Sequence, residues 1–461
     1  MEPQFFHHAL KINLDACYGC THCMTVCPTE AIRVKNGKAF IYEHKCIDCG
    51  MCLKACPANA IQVEQDDFST IFNYKHRVAL YPSVLTGQFP SRYYASQIAA
   101  VMLDLGFTHA FEVEHGADFL KKEIPKYQLE SEFRPVISSF CPAIIRLIQV
   151  KFPSLANHVM QLKPPVDIAA QFYRKHLIDQ GLKDEEIGIF YITPCAAKIA
   201  AIKSPVGETT SAINGVINMD FIFNRIFRAL KQGKAGHREL PDKPTMSPDA
   251  LSWSLTNGEA AHAKGRSIAI DGVLNSMDFL EQLEDEEISN IDFIEIRACD
   301  ESCAGGILNH NNRFLTVERL KLRASRYKKD QKKSTDTNPI FEQESYLKMN
   351  SRIGAVKPRS MLKMDEDMTR ALVKMEKTRR LMCFLPGIDC GACGAPNCQA
   401  LAEDIVQHKA ALTDCIFLQN HMQKHGKLSQ ETAHNRIEKI WGENRLEKDC
   451  KRKGAQDETL F

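Results

Sequence analysis

Between residues 75 and 320, short apolar runs alternate with stretches of amphipathic helical period. That texture predicts α/β layering, with strands in a sheet and helices over it. Three runs read as buried strands: "RPVISSF", "IGIFYITP" and "FIEIRA". They lead into Cys141, Cys195 and Cys299. After Cys141, "PAIIRLIQVKF" reads as a helix with Pro142 at its first position. A helix is predicted from Gln399 to Ala411, with Leu401, Ile405 and Val406 on one side, and a helical connector over 363–381. Beyond 421 the chain is polar, with one weak helical pattern around Ile437, Ile440 and Leu446, either an interaction helix or a frayed end. No apolar run approaches the ~18 residues of a membrane-spanning helix.

Length and charge add little. A chain of 461 residues has room for about two to four domains, and a net charge of +2 selects no class of partner. The N-terminal stretch has neither a basic nor an apolar leader region, which argues against export. The 18 cysteines change the picture. A chain this long with ordinary apolar content does not need disulfide staples, and clustered thiols without an export signal point to metal. The expectation is a cytoplasmic iron-sulfur protein of an anaerobe. Among the histidines none has metal-ligand spacing, and His7 and His8 read as a polar terminal pair.

An internal repeat opens the chain. "CYGCTHCMTVCP" places Cys17, Cys20, Cys23 and Cys27, and "CIDCGMCLKACP" places Cys46, Cys49, Cys52 and Cys56, each 29 residues later. Thiols at every third position can direct three sulfurs to one iron-sulfur cube, with the proline-flanked fourth lent by the other half. One 4Fe–4S cluster is therefore expected on Cys17, Cys20, Cys23 and Cys56, and a second on Cys46, Cys49, Cys52 and Cys27. A zinc module, which wants paired CxxC across a longer loop, fits poorly. Residues 1–66 resemble an α+β bacterial two-cluster ferredoxin, an electron relay.

A second motif lies near the C-terminus. Cys390, Cys393, Cys398 and Cys415 are spaced C-x2-C-x4-C-x16-C, with Gly391 and Gly394 letting the backbone wrap tightly. A zinc ribbon is the competing account. The segment, 381–418, resembles the small 4Fe–4S domain of several anaerobic redox proteins.

In the middle of the chain, strand ends are where open α/β sheets form sites, and Cys303 follows Cys299 closely. Cys141, Cys195, Cys299 and Cys303 are thus a candidate quartet, against the alternative that they are isolated buried thiols acting as small hydrophobes. The segments "SFCPAIIRL", "TPCAAKI" and "EIRACDESCAGG" occur in an order that resembles the three signature segments of iron-only (FeFe) hydrogenases. The resemblance covers about residues 75–320 and implies a two-lobed α/β core. It implies a cube held by Cys141, Cys195, Cys299 and Cys303, with Cys303 also bridging to a diiron unit carrying CO and cyanide. It implies further that Lys198 donates to a cyanide ligand, and that Gly305 and Gly306 let the backbone approach the cluster.

The departures from that family surround the diiron position. Phe140 stands where a proton-relaying cysteine is usual, Thr193 and Arg297 where methionines are frequent, and Asp300, Glu301 and Ser302 where the spacer is glycine-rich. Loss of a relay predicts slow turnover, since acid–base help is worth about 10²–10⁴ in rate. Asp300 or Glu301 offers a substitute, or else forms a solvated acidic turn, and Arg297 could balance an anionic cluster. The pattern is most similar to the sensory, slow-turnover branch, whose output here would need a separate partner.

Residues 319–333 carry eight Lys/Arg and one Asp, read as a solvated helix or linker, or as a dock for an acidic redox partner. Nucleic acid is disfavoured for want of a recognition motif. The expected order is therefore a ferredoxin-like domain (1–66), a hydrogenase-like core (75–320), a basic linker and connector (321–380), a small 4Fe–4S domain (381–418) and a polar tail (419–461). Cys383 and Cys450 fit no quartet. The expected function is hydrogen sensing or slow reversible hydrogen chemistry relayed through 4Fe–4S clusters. The alternative is electron transfer or redox sensing on cubes alone, or an electron-input subunit.

Overall fold

The computed structural model describes residues 6–233, 245–330, 338–359, 364–365 and 367–443. The chain forms two compact units. One contains Met1–Lys11, His44–Lys54 and Gln62–Leu362; the other contains Ile12–Glu43, Ala55–Ile61 and Lys363–Phe461. Cys450 and Leu446 lie outside the described residues.

The larger unit is the α/β core, and it is built on two parallel sheets. The first takes strands β1 (His76–Tyr81), β2 (His109–Glu112), β4 (Ile187–Thr193) and β5 (Gly215–Asn218) in the order β2-β1-β4-β5. The second takes β3 (Val136–Ile137), β6 (Ser267–Asp271) and β7 (Phe293–Arg297) in the order β6-β7-β3. All seven residues of β4 and all five of β7 are buried. Central parallel strands are covered on both faces, which is why these runs are buried throughout instead of alternating with exposed positions, Glu295 and Arg297 of β7 included. Register places Leu80 opposite Tyr191, Phe190 opposite Gly215, and Phe293 between Ser267 and Val136.

Helices fill the crossovers. The ones that matter here are α1 (His115–Glu130), α2 (Pro142–Lys151), α3 (Pro165–Asp179), α4 (Ala196–Lys203), α5 (Met219–Lys231), α6 (Val273–Glu284) and α7 (Arg313–Asp330). One apolar cluster joins the first sheet to α5, through residues such as Phe190, Ile217, Phe223 and Ile226. A second joins the other sheet to α2 and α6, through Ile144, Ile148, Leu280 and Ile294. Ile47, Cys49 and Met51 pack into this second cluster. The second half of the N-terminal repeat therefore folds with the core, and residues 1–66 are shared between the two units.

The basic run is not a free linker. It lies largely in α7, where Arg323 reaches inward and forks onto Glu112 at 2.6 and 2.8 Å and onto the Tyr327 hydroxyl at 2.9 Å. Arg319 donates to the carbonyls of Gly87 and Gln88. Two of the basic side chains are thus internal fasteners. His8 likewise departs from the sequence reading: it is 5% exposed, and its Nδ1 lies 2.8 Å from Asp48.

In the smaller unit the hairpin Ile32–Lys35 and Lys38–Ile41 is joined by α8 (Met368–Met382), α9 (Cys398–Val406) and α10 (Gln430–Trp441). Arg33, almost fully buried, pairs with Asp404 at 2.6 Å. Helix α9 starts one residue earlier and ends sooner than the periodicity predicts. The Asn397 side chain caps it by accepting from the Ala400 amide, and His408 takes a left-handed turn just beyond it. The tail is not frayed over its described part. Helix α10 offers the Lys439 and Ile440 carbonyls to the amides of Asn36 and Gly37, and the Trp441 indole donates to Ala392.

Because the Arg323–Glu112 pair is desolvated, removing one partner strands a buried charge. Arg323→Ala is expected to lower the unfolding free energy by about 3–5 kcal/mol in urea titrations, and the double change Arg323→Met with Glu112→Leu by much less.

Candidate metal centre

Each of the four core cysteines sits where a strand hands over to the next element. Cys141 caps α2, with Pro142 in its first turn, and Cys195 caps α4 two residues after β4. Cys299 follows β7 by two residues, and Cys303 lies in the short 3-10 turn Ser302–Gly305. The structure brings these thiols into mutual electrostatic range. Burial pushes Cys195 up to about 12, with Cys303 and Cys141 adding and Lys198 opposing. Burial raises Cys299 well above its ordinary value, helped by Cys195, Cys141 and Cys303. Burial also raises Cys303, against Lys198 and Arg297. A thiol must give up its proton to ligate a metal, so metal binding by such a set would release protons. The donor set, four sulfurs from three chain segments, fits an iron-sulfur cube.

The spacer between Cys299 and Cys303 is held by its backbone. Glu301 and Ser302 are both left-handed, at φ 59° and 51°. The Glu301 amide donates to Asp271 at 3.0 Å, and the Ser302 hydroxyl lies 3.2 Å from that of Thr256. Asp300 is exposed and pairs with Arg313 at 2.5 Å, so it faces solvent and not the thiols. The two glycines have a specific neighbour each. A β-carbon on Gly305 would lie 1.9 Å from the Asp300 carbonyl oxygen, and one on Gly306 would lie 2.7 Å from that of Pro194. Their role in the structure is to let the chain fold back on itself beside Cys303. Lys54, two residues past Cys52, donates to the Gly305 carbonyl at 2.7 Å.

Around Cys303 the side chains are densely charged. Lys198 is 7% exposed, lies 3.4 Å from the Tyr191 hydroxyl and rests 4.6 Å from the centre of the Phe140 ring. Burial alone disfavours its charge, but Tyr191, Cys303, Cys195 and Glu114 outweigh this and raise its pKa. Arg297 lies over the other part of the Phe140 environment, 3.6 Å from the ring centre. It pairs with Glu259 at 3.0 Å and with Glu295 at 3.4 Å, and its Nη1 has no partner. Its charge is thus already balanced by two internal carboxylates. Burial raises Glu259 to about 7 despite Arg297.

Lys198, Phe140 and Cys303 wall one small cavity together with Glu114, Trp253 and Pro82. Glu114 accepts from the Ser83 amide and hydroxyl, both at 2.8 Å, and is raised to about 8 by burial and by Glu112. The buried Trp253 indole N–H has no partner. Sequence reasoning missed Glu114, Glu259, Glu295 and Trp253. Only the charged residues within apolar strands, such as Glu295 in "FIEIR", offered a signal.

The accessory cysteines are placed as follows. Cys23 is raised to about 12 by burial and then by Cys20, Cys17 and Cys56, so the first expected quartet converges. Backbone amides donate to these sulfurs in matching fashion: Ala39 to Cys17, Ala31 to Cys27 and Ala60 to Cys56, at 3.2–3.3 Å. In the larger unit the Asp48 amide donates to Cys46 at 3.4 Å, and Cys46 shares its neighbourhood with His8 and Asp48. Asp48 also receives Arg146 of α2 at 2.5 Å. Near the C-terminus, Cys393, Cys398 and Cys415 share one apolar cluster. Cys393 is raised to about 11 by burial, and Cys415 and Cys390 add to this. Gly391 and Gly394 both take positive φ, 72° and 78°. Cys383 is exposed on the helical side of this domain, bonded to its own α8 backbone.

Residues 77–254 match the family model of the iron only hydrogenase large subunit, C-terminal domain. Residues 9–57 match a 4Fe-4S dicluster domain, and residues 385–417 match a family described as "Putative Fe-S cluster". Among solved structures, two variants of an FeFe hydrogenase from Chlamydomonas reinhardtii align over 62% of this chain and 94% of theirs, at 16% and 15% identity and a TM-score of 0.47. A hydrogenase structure concerned with stepwise H-cluster assembly aligns over 61% of this chain and 94% of its own, at 16% identity and a TM-score of 0.46. No curated protein matches the chain significantly. The class is thus an iron-sulfur, metal-binding protein of mixed α/β fold with parallel sheets. More narrowly, the chain is FeFe-hydrogenase-like, with a 4Fe-4S dicluster domain in front. Among the described residues no helix is long and apolar enough to cross a membrane.

Gly305→Ala cannot be accommodated without moving the Asp300 carbonyl. The variant is expected to lose the core cluster selectively, seen as iron and sulfide content falling by about one cube's worth of the 4Fe–4S set while the accessory clusters persist.

Proposed function

We propose that this protein senses hydrogen or turns it over slowly, on a core cube held by Cys141, Cys195, Cys299 and Cys303. Accessory 4Fe–4S clusters on the cysteine sets read from the sequence would relay the electrons. The observation that carries this reading is the convergence of the four thiols beside a cavity that Cys303 shares with Lys198. Cys303 would hold the cube and bridge to a diiron unit, which when bound supplies reversible cleavage of H2. Lys198, charged and short of hydrogen-bond acceptors, suits an anionic ligand such as cyanide. Gly305 and Gly306 set the backbone path that presents Cys303.

Slow turnover follows from Phe140. It is 6% exposed and held between two cations, and it has no exchangeable proton to offer the cavity. Arg297 favours a second reading, electron transfer or redox sensing without the diiron unit, because its guanidinium fills space beside Cys303's surroundings. A redox partner, such as a ferredoxin or a signalling protein, would exchange electrons with the cubes.

Infrared spectra of anaerobic protein, produced with the hydrogenase maturation machinery, separate the two readings. CO and cyanide absorptions that shift under H2 are expected, and Cys303→Ser should abolish them. Their absence from protein whose iron fills every cube would leave electron transfer as the function. Phe140→Cys is expected to raise hydrogen turnover by about 10²-fold, read by dye-coupled H2 oxidation.

A further inference from the structure

Phe140 also lines a second cavity, of about 370 Å³. It is lined by Phe140, Lys163, Asp167, Arg174, Lys198 and Glu208, and exposed Thr210 stands at its rim. Phe140 and Lys198 also wall the small cavity that contains Cys303 and Glu114. The two cavities therefore meet at the Phe140–Lys198 pair.

Of the charged groups in the larger cavity, Lys163, Glu208 and Arg174 are ion-paired, whereas Lys198 and Asp167 have no ion-pair partner among the described residues. Lys163 bonds Glu208 at 2.5 Å. Arg174 bonds Asp184 and Asn214, each at 2.6 Å. Lys198 rests against Tyr191 and Phe140. The Asp167 carboxylate has no hydrogen-bond partner among the described residues, although its position in the first turn of α3 faces a cavity of this size. A desolvated carboxylate without a protein partner is tolerable only if water or a proton satisfies it.

We propose that this cavity is the proton entrance to the core site, and that Asp167 is the group that holds the proton within it. The inference rests on the functional reading above and deepens it. A proton from bulk water enters at the Thr210 rim and protonates the Asp167 carboxylate. It is then released into cavity water beside Phe140 and Lys198, and the carboxylate is restored. Nothing is oxidised or reduced in this transfer. Burial, with Glu208 adding and Lys163 and Lys198 opposing, places Asp167 at about 7. The carboxyl is therefore neutral below that pH and charged above it, which suits a group that must both take and give a proton near neutrality. This side of Phe140 can serve because the usual relay position carries no proton.

The test compares wild type, Asp167→Asn and Asp167→Glu, each checked for full iron content and unchanged thermal unfolding. Infrared difference spectra against pH, in H2O and D2O, are expected to show protonated carboxyls titrating near neutrality. One component, with a midpoint near 7, is lost in Asp167→Asn and retained in Asp167→Glu, while those of Glu114 and Glu259 persist in all three proteins. Exchange of D2 with solvent protons by matured protein should fall about 10²-fold or more in Asp167→Asn, lose its pH midpoint, and recover in Asp167→Glu. A normal carboxyl titration with unchanged exchange would overturn the entrance, and a carboxyl that stays ionised well below neutrality would overturn the proton-holding role. If CO and cyanide absorptions are absent from wild type, the functional reading itself fails, and the entrance with it. That outcome is distinct from absorptions present with exchange unaffected.

Discussion

The cost of burying charge beside four thiols governs how this core is assembled. Lys198 and Arg297 are both inside the protein, and neither could be there alone. Arg297 is matched by Glu259 and Glu295, and these carboxylates are in turn satisfied by the amides of Asn257, Glu259 and Ala260 and by the Ser138 hydroxyl. Lys198 has no such carboxylate partner. Its surroundings are Tyr191, Glu114 and the thiols themselves. One cation of the site is thus paired with carboxylates, and the other faces thiols.

Phe140 ties this electrostatic arrangement together. Both cations lie within cation–π distance of it, an interaction that strengthens when the partners are desolvated. The ring lines both the small cavity at Cys303 and the larger one at Asp167. A thiol in its place would be smaller, and it would not tie the two cations together. Phe140 is therefore a structural element of this site as well as a departure in sequence.

A similar economy of charge operates in the first unit at Asp48. Its two oxygens collect His8, the amides of Ala9 and Leu10, and Arg146 from α2. The loop that carries Cys46 and Cys49 is thereby fastened to the helix that Cys141 caps. With Lys54 bound to the Gly305 carbonyl, the second half of the repeat is built into the core at two points. Its removal from the core would strand Asp48 and Arg146 as buried, unmatched charges.

The sequence by itself determined what local spacing can determine. Cysteine intervals, the glycines that take positive φ, Pro142 and the apolar runs of β4 and β7 are properties of contiguous chain, and each element formed where its pattern lay. The convergence of Cys17, Cys20, Cys23 and Cys56 follows from the same logic. What tertiary structure alone decided is which long-range charges meet. Nothing near His8 announces Asp48, nothing in a basic run announces that Arg323 turns inward to Glu112, and Asp167 in "PPVDIAAQ" reads as an ordinary first-turn acid. Pairing energies depend on desolvation, and desolvation depends on which segments cover a side chain from far along the chain. The cysteine intervals were legible because spacing is local; the groups that surround the thiols were not, because burial is a property of the whole fold.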